Sequence, residues 1–385
     1  MNNFIYCNPT RIIFGRGAIA ELKNLVPPCK KIMLIYGGGS IKRNGVYQQV
    51  RAALKDWPIC ECGGIEPNPK YEQLMQFAAA AKEQGIEYLL AIGGGSVIDG
   101  TKFIAAALRF EGSDPWDMIA HQSPVKTAMP FGCVLTIPAS GSEMNHIAVI
   151  SRTNTRQKIA FRSECLYPQF SILDPAVTLS LPKKQVRNGV VDAFVHVLEQ
   201  YLTYPVNSPL QDRQAEAICL TLLEEGPKTL KNLDDYDARA NFMWCATQAL
   251  NGLIGCGVPT DFACHQIGHE LNVLYGLVHA ESLAAILPGL LRHSPRKAAK
   301  LAQFARRVCN ISGNDQDALI EAGIQKIEEF FHALGMPTGL LGFQLHAVEV
   351  APKVREALSR RNARLGEHKN LTPEKVAEIL ERCST

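Results

Sequence analysis

Apolar residues in the first half of the chain come in short unbroken runs that stop at glycine or proline. The runs KIMLIY (31–36), YLLAI (88–92), CVLTIP (133–138) and FSILDP (170–175) predict strands buried on both faces of a parallel sheet. Between them, segments 45–56, 71–85 and 97–110 carry apolar residues at helical spacing. Segment 146–161 reads as a hairpin that turns near Thr153 and Asn154. Strands alternating with helices predict an α/β domain.

Beyond Pro182 the period changes. Segments 186–202, 210–226, 238–255, 297–309 and 317–335 all read as helices, and a last helix starts with Thr372 as N-cap and Pro373 at its first position. The pattern predicts two domains, an α/β domain over 1–181 and an all-α domain over 182–385. No internal repeat and no low-complexity tract is visible.

Composition narrows the function classes. With 46% hydrophobic and 20% charged residues, the 385-residue chain has the make-up of a soluble globular protein. A formal net charge of +3 without a long basic run gives no reason to expect a nucleic-acid partner. Apolar stretches such as SLAAIL are far short of a membrane span, and MNNFIYCNPT lacks the features of a signal peptide. Twelve cysteines without a CxxC pair read as reduced thiols of a cytoplasmic protein. Cys60 and Cys62 fall in an expected Gly-rich loop, and Cys264 reads as a small buried apolar residue rather than a ligand.

Three polar strand ends carry candidate binding chemistry. AIGGGSVIDG (91–100) leaves a strand and opens a helix, where free N–H groups and the helix dipole suit a diphosphate. In LIYGGGSIKRNG (34–45), glycines and Ser40 stand where an acidic residue would hold the ribose of NAD, with Lys42 and Arg43 behind. That combination suits a 2′-phosphate and predicts NADP(H). TIPASGSEMN (136–145) adds the hydroxyls of Thr136, Ser140 and Ser142. Three such loops on one end of a parallel sheet would form one cleft.

The helical half carries a different chemistry. Asp192 and His196 stand at i and i+4 in NGVVDAFVHVLEQ, and Glu199 extends the same face. Their neighbours are apolar, so the Asp192 carboxylate needs a compensating partner, and a divalent cation is the economical one. HQIGHELNVLYGLVH (265–279) repeats the spacing with His265 and His269 and adds His279 after Gly276. One aspartate and four histidines are therefore candidate ligands for Fe²⁺ or Zn²⁺. Glu199 is expected to orient His196 through its second ring nitrogen.

In this order, GGGSVIDG, IPASGSE, DAFVHVLEQY and GHELNVLYGLVHA resemble the iron-activated (group III) alcohol dehydrogenases over nearly the whole chain. The triple glycine and the NGVVDAFVH wording are most similar to the bacterial branch of NADPH-dependent aldehyde reductases and butanol dehydrogenases. The resemblance implies a Rossmann-like dinucleotide-binding α/β domain and an all-α metal domain of dehydroquinate synthase-like architecture, with the active site between them, in a homodimer. It implies the metal ligands Asp192, His196, His265 and His279. Its nucleotide contacts fall on Gly38, Gly39, Ser40 and Asn68, on Gly94, Gly95, Ser96 and Val97, and on Asp99, Thr136, Ser140, Val149 and Lys158. Gly38 stands where NAD-using members carry an aspartate.

The expected reaction is metal-assisted hydride transfer from NADPH to short-chain aldehydes, with alcohol oxidation as the reverse and His269 as proton relay. Two rivals are a lyase of the dehydroquinate synthase type with a recycled cofactor and a non-catalytic nucleotide- or metal-binding module. The lyase needs cations for a phosphorylated substrate, and neither 188–200 nor 262–285 contains lysine or arginine.

Overall fold

A computed structural model describes residues 1–382 of the chain. It divides into two compact units. One comprises Cys7–Pro182 with Leu233–Thr247, and the other Met1–Tyr6, Lys183–Asn232 and the residues from Gln248 on. Each unit is thus built from non-contiguous segments.

The first unit holds six parallel strands: β1 (Arg11–Phe14), β2 (Ile32–Tyr36), β3 (Ile59–Cys62), β4 (Tyr88–Gly94), β5 (Phe131–Ile137) and β8 (Phe170–Leu173). Their order across the sheet is β1-β8-β5-β4-β2-β3. Successive side chains of each strand enter opposite cores. Met33, Ile35, Leu89, Ala91, Cys133 and Leu135 pack with the helices Tyr71–Glu83 and Gly95–Ala107. Ile32, Leu34, Tyr88, Leu90, Val134 and Ile172 pack with Ile19, Leu22, Val46 and Val50 on the other face. Helices on both faces explain why the central strands read as continuous apolar runs.

Two strands, β1 and β3, were not legible as apolar runs. Both are four residues long and lie at the sheet edges, where only part of each side chain is buried. Cys60 and Cys62 accordingly sit on β3 and not in a loop. The hairpin is present as antiparallel β6 (Ile147–Arg152) and β7 (Gln157–Arg162), turning over 153–156.

In the second unit the helix Lys183–Tyr201 is buried at every position from Gly189 to Tyr201, so it forms the centre of the helical core. The segment expected to end near 226 runs on as Pro209–Lys231 through Pro227. Gly226 lets this helix approach the central one, since a Cβ there would stand 2.8 Å from Val190 Cγ1. The helices Ala263–Tyr275 and His279–Arg292 also pack closely. A Cβ on Gly268 would lie 2.9 Å from Ser282 Oγ. Between them Gly276 adopts φ +71° and closes the first helix, a left-handed conformation that glycine takes without strain. Asn272 Nδ2 then ties the turn by donating to Leu277 O and Ser282 Oγ, each at 3.0 Å. No helix among the described residues is long and apolar enough to cross a membrane.

Candidate metal centre and cofactor loops

Three helices bring the sequence-marked histidines together. Asp192 and His196 come from Lys183–Tyr201, His265 and His269 from Ala263–Tyr275, and His279 is the first residue of His279–Arg292. Asp192 Oδ1 lies 3.6 Å from His196 Nδ1, 3.6 Å from His265 Nε2 and 3.5 Å from His279 Nε2. These separations are too long for good hydrogen bonds. They match two ligand atoms each about 2.1 Å from one ion at a tetrahedral angle, which stand about 3.4 Å apart. Asp192 Oδ1, His196 Nδ1 and His265 Nε2 are all buried without a hydrogen-bond partner. Ligand atoms of Asp192, His265 and His279 lie within 4.8 Å of one another. His196 falls outside that group but stays adjacent, its ring centre 4.3 Å from that of His265. His269 is half-exposed, with its ring centre 5.4 Å from that of His279.

Glu199 does not orient His196. Its carboxylate accepts hydrogen bonds from His265 Nδ1, from Cys264 N at 2.6 Å and from His265 N at 3.3 Å. It therefore caps the N-terminus of the helix Ala263–Tyr275 and fixes the His265 ring in one act. With its Nδ1–H donated to Glu199, His265 holds Nε2 toward Asp192, where the neutral ring would offer a lone pair to a cation. Spacing along the central helix could not reveal this, because the partner arrives from another helix. Cys264 Sγ is directed to the Leu283 carbonyl at 3.6 Å, as befits a packed thiol.

Two buried carboxylates set the electrostatics. Burial raises the Asp192 carboxyl, but the positive charge of His196, His279 and His265 outweighs it and holds the group well below the usual range. Burial lowers His265, yet Glu199 and Asp192 overcome it and push the imidazole up to about 9. Burial pulls His196 down to about 4, with the charge of His265 adding to it. The pocket thus has a strong demand for positive charge, and one aspartate with neutral imidazoles suits Fe²⁺ or Zn²⁺.

In the sheet unit, β2, β4 and β5 are adjacent and parallel, so the loops after them share one end of the sheet. β4 runs into the helix Gly95–Ala107 without a side-chain cap, leaving N–H groups of Gly95, Ser96 and Val97 available to an anion. The loop is tightly packed. A Cβ on Gly95 would stand 2.3 Å from Ser140 Oγ, and one on Gly94 2.9 Å from Ile137 Cβ. Gly38 is exposed and a Cβ there would meet nothing within 4 Å. Lys42, which follows the turn at Gly39 and Ser40, is already engaged: its Nζ lies 3.1 Å from Glu61 Oε2 and 5.0 Å from the ring centres of Tyr36 and Tyr47. Arg43 is exposed.

Asp99 is oriented by a network that sequence reasoning missed. Lys102, fully buried one turn along the same helix, donates to Ser142 Oγ and Asn145 Oδ1 at 2.9 Å and to Ile147 O at 2.7 Å. An ammonium only donates, so the Ser142 hydroxyl proton goes to Asp99 Oδ1 at 2.6 Å, while Val149 N donates to Oδ2 at 2.9 Å. Burial pushes the Lys102 ammonium down to about 8, against the pull of Asp99. Thr136 and Lys158 are buried, the latter on β7 opposite Ser151. Ser151 N donates to Pro69 O, which places the hairpin beside Asn68.

Known proteins agree with this architecture. Residues 9–175 match the model of the iron-containing alcohol dehydrogenases, and residues 187–384 match the C-terminal model of the Fe-containing alcohol dehydrogenase family. The chain belongs to the iron-containing alcohol dehydrogenase family. It is an oxidoreductase of that family. It is 50% identical over 384 residues to the NADPH-dependent aldehyde reductase YqhD of Escherichia coli, covering 99% of each chain. A probable NADH-dependent butanol dehydrogenase of Bacillus subtilis is 39% identical over 386 residues, again covering 99% of each. Among solved structures, that of E. coli YqhD superposes with a TM-score of 0.97 at 50% identity, covering 99% of both chains. An NADH-dependent butanol dehydrogenase from Thermotoga maritima gives a TM-score of 0.94 at 35% identity, covering 100% of this chain and 99% of the other.

Replacing Glu199 with Gln removes the charge that holds His265 and should weaken metal binding by about 10–100-fold, measured by competition with a chelator. Unchanged affinity would show that Glu199 serves only as a helix cap.

Proposed function

We propose that this chain is a metal-dependent, NADPH-dependent reductase of short-chain aldehydes, running in reverse as an alcohol dehydrogenase. The observation that carries the reading is the buried Asp192 Oδ1 facing imidazole nitrogens at 3.5–3.6 Å with no hydrogen bond to satisfy it. Asp192, His265 and His279 would hold the ion, with His196 as fourth ligand. A bound divalent cation supplies Lewis acidity toward a carbonyl oxygen, and NADPH supplies the hydride. Glu199 keeps His265 in the tautomer that offers Nε2. His269 holds a ring proton for delivery to the substrate oxygen, directly or through water.

The cofactor assignment rests on Gly38, Gly39 and Ser40, where no acid stands to repel a 2′-phosphate, and on the name of the E. coli relative. Asn68, Gly94, Gly95, Ser96, Val97, Asp99, Thr136, Ser140, Val149 and Lys158 would complete the nucleotide contacts. Lys42 is a weaker candidate for the phosphate than Arg43, because Glu61 already compensates its charge. Family membership favours this reading over the dehydroquinate synthase-type lyase. We also propose a cytoplasmic homodimer, the first from scattered cysteines that form no CxxC pair in the sequence and the second from the family resemblance.

Protein purified without chelator should carry about one Fe or Zn per chain and consume NADPH with butanal, and Asp192→Ala should lose both metal and turnover. Metal-free wild-type protein with full turnover would overturn the reading. NADPH should exceed NADH in kcat/KM, and Gly38→Asp, which fits without a clash, should lower the NADPH value at least about 100-fold while sparing NADH. Equal use of both coenzymes by that variant would refute the 2′-phosphate assignment. His269→Ala should lower kcat about 100-fold with metal content intact. An unchanged kcat would leave His269 a packing residue.

A further inference from the structure

Phe262 precedes the helix Ala263–Tyr275 in a backbone conformation that its side chain disfavours. Its φ and ψ are +57° and +19°, the left-handed region, where the Cβ of a bulky L-residue crowds the backbone and strains it. Among the described residues with positive φ other than glycine, Phe262 is the only aromatic one, and four of the others are asparagine, which tolerates that region. A strained backbone persists only where its surroundings over-determine it.

The surroundings here do so on both sides. Asp261 N donates to Glu199 O at 2.9 Å, and Asp261 Oδ1 accepts from Ala263 N at 2.9 Å. The Asp261 side chain is further held by Lys297 Nζ at 2.5 Å. After Phe262, Cys264 N is fixed on Glu199 Oε1, and the Phe262 carbonyl itself accepts from Gln266 N at 3.0 Å. A glycine would adopt this turn without strain, so local geometry does not call for phenylalanine.

The ring has a specific contact. It meets the His265 imidazole edge-on, with centres 5.7 Å apart and planes at 69°, a favoured aromatic geometry. His265 is then bounded by Glu199 at Nδ1, by the His196 ring and by Phe262. The ring is half-buried while the imidazole it touches is buried.

We propose that Phe262 is a positioning residue for the metal centre: its strained turn holds an aromatic wall against His265 and so restricts the imidazole to the ligating orientation. The proposal rests on the metal reading given above. Glu199 holds the ring at one nitrogen, and the Phe262 edge bounds its tilt about that bond.

The test uses the full-length protein loaded with Co²⁺. Phe262→Gly removes ring and strain together, Phe262→Leu keeps bulk without the aromatic edge, and Phe262→Trp restores an aromatic wall. The Gly and Leu variants are expected to release Co²⁺ to excess chelator about tenfold faster than wild type and to show an altered visible ligand-field spectrum. The Trp variant should stay within about threefold of wild type with its spectrum retained. Should Gly fail to fold, Leu and Trp make the comparison. Release rates and spectra of Gly or Leu indistinguishable from wild type overturn the proposal while leaving the metal reading standing. Wild-type protein that takes up no Co²⁺ overturns both.

Discussion

A carboxylate without a hydrogen-bond donor for one of its oxygens, inside a helix that is buried all round, is the constraint on which the helical unit depends. Asp192 is 5% exposed, and so is Glu199 two turns further along. Unpaired, each would cost several kcal/mol. Glu199 is compensated within the protein, by two backbone N–H groups at a helix N-terminus and by the ring of His265. Asp192 gathers imidazoles around Oδ1 at distances that no hydrogen bond explains. Two acids on one face of one helix thus take different roles. One is saturated and orients a ring. The other is left with coordination capacity.

The local chain features of the unit follow from bringing those groups together. Gly268 allows the helices that carry His265 and His279 to approach, and Gly276 breaks the chain between them so that His279 can begin a new helix. Asn272 locks the intervening turn from inside. Each device acts on backbone placement, and the histidines inherit their separation from it. Strain at Phe262 belongs to the same economy of placement: a conformation of higher energy is retained where it sets a ring against a ligand candidate.

The sheet unit solves the opposite electrostatic problem. Its strand ends expose N–H groups, and glycines keep side chains out of the way, so that an anion can approach the backbone. Around this lies a fully buried cation. Lys102 spends all three of its protons on Ser142, Asn145 and Ile147. The direction of every later hydrogen bond follows, and Asp99 ends as an acceptor with its two oxygens oriented by Ser142 and Val149. At the neighbouring loop Glu61 neutralises Lys42, so a basic residue near a phosphate-binding turn is not automatically available to the phosphate.

Sequence disclosed whatever is encoded by spacing along one chain segment. The four central strands, the hairpin and the long helices were readable from period, and Asp192 with His196 from i, i+4 spacing, because those signals are local. Edge strands β1 and β3 escaped because partial burial leaves them no apolar run. Partnerships across segments escaped as well: Glu199 with His265 and Lys102 with Ser142 each join residues whose separation carries no periodic signal. His279 was in the ligand set through family resemblance, and spacing alone favoured His269. Geometry separates the two, since His279 Nε2 lies 3.5 Å from Asp192 Oδ1 while His269 stands next to the His279 ring instead. Helical spacing can place a side chain on a face. Which atom on that face is left without a partner depends on what the neighbouring helices bring to it, and that is where the chemistry of this site is decided.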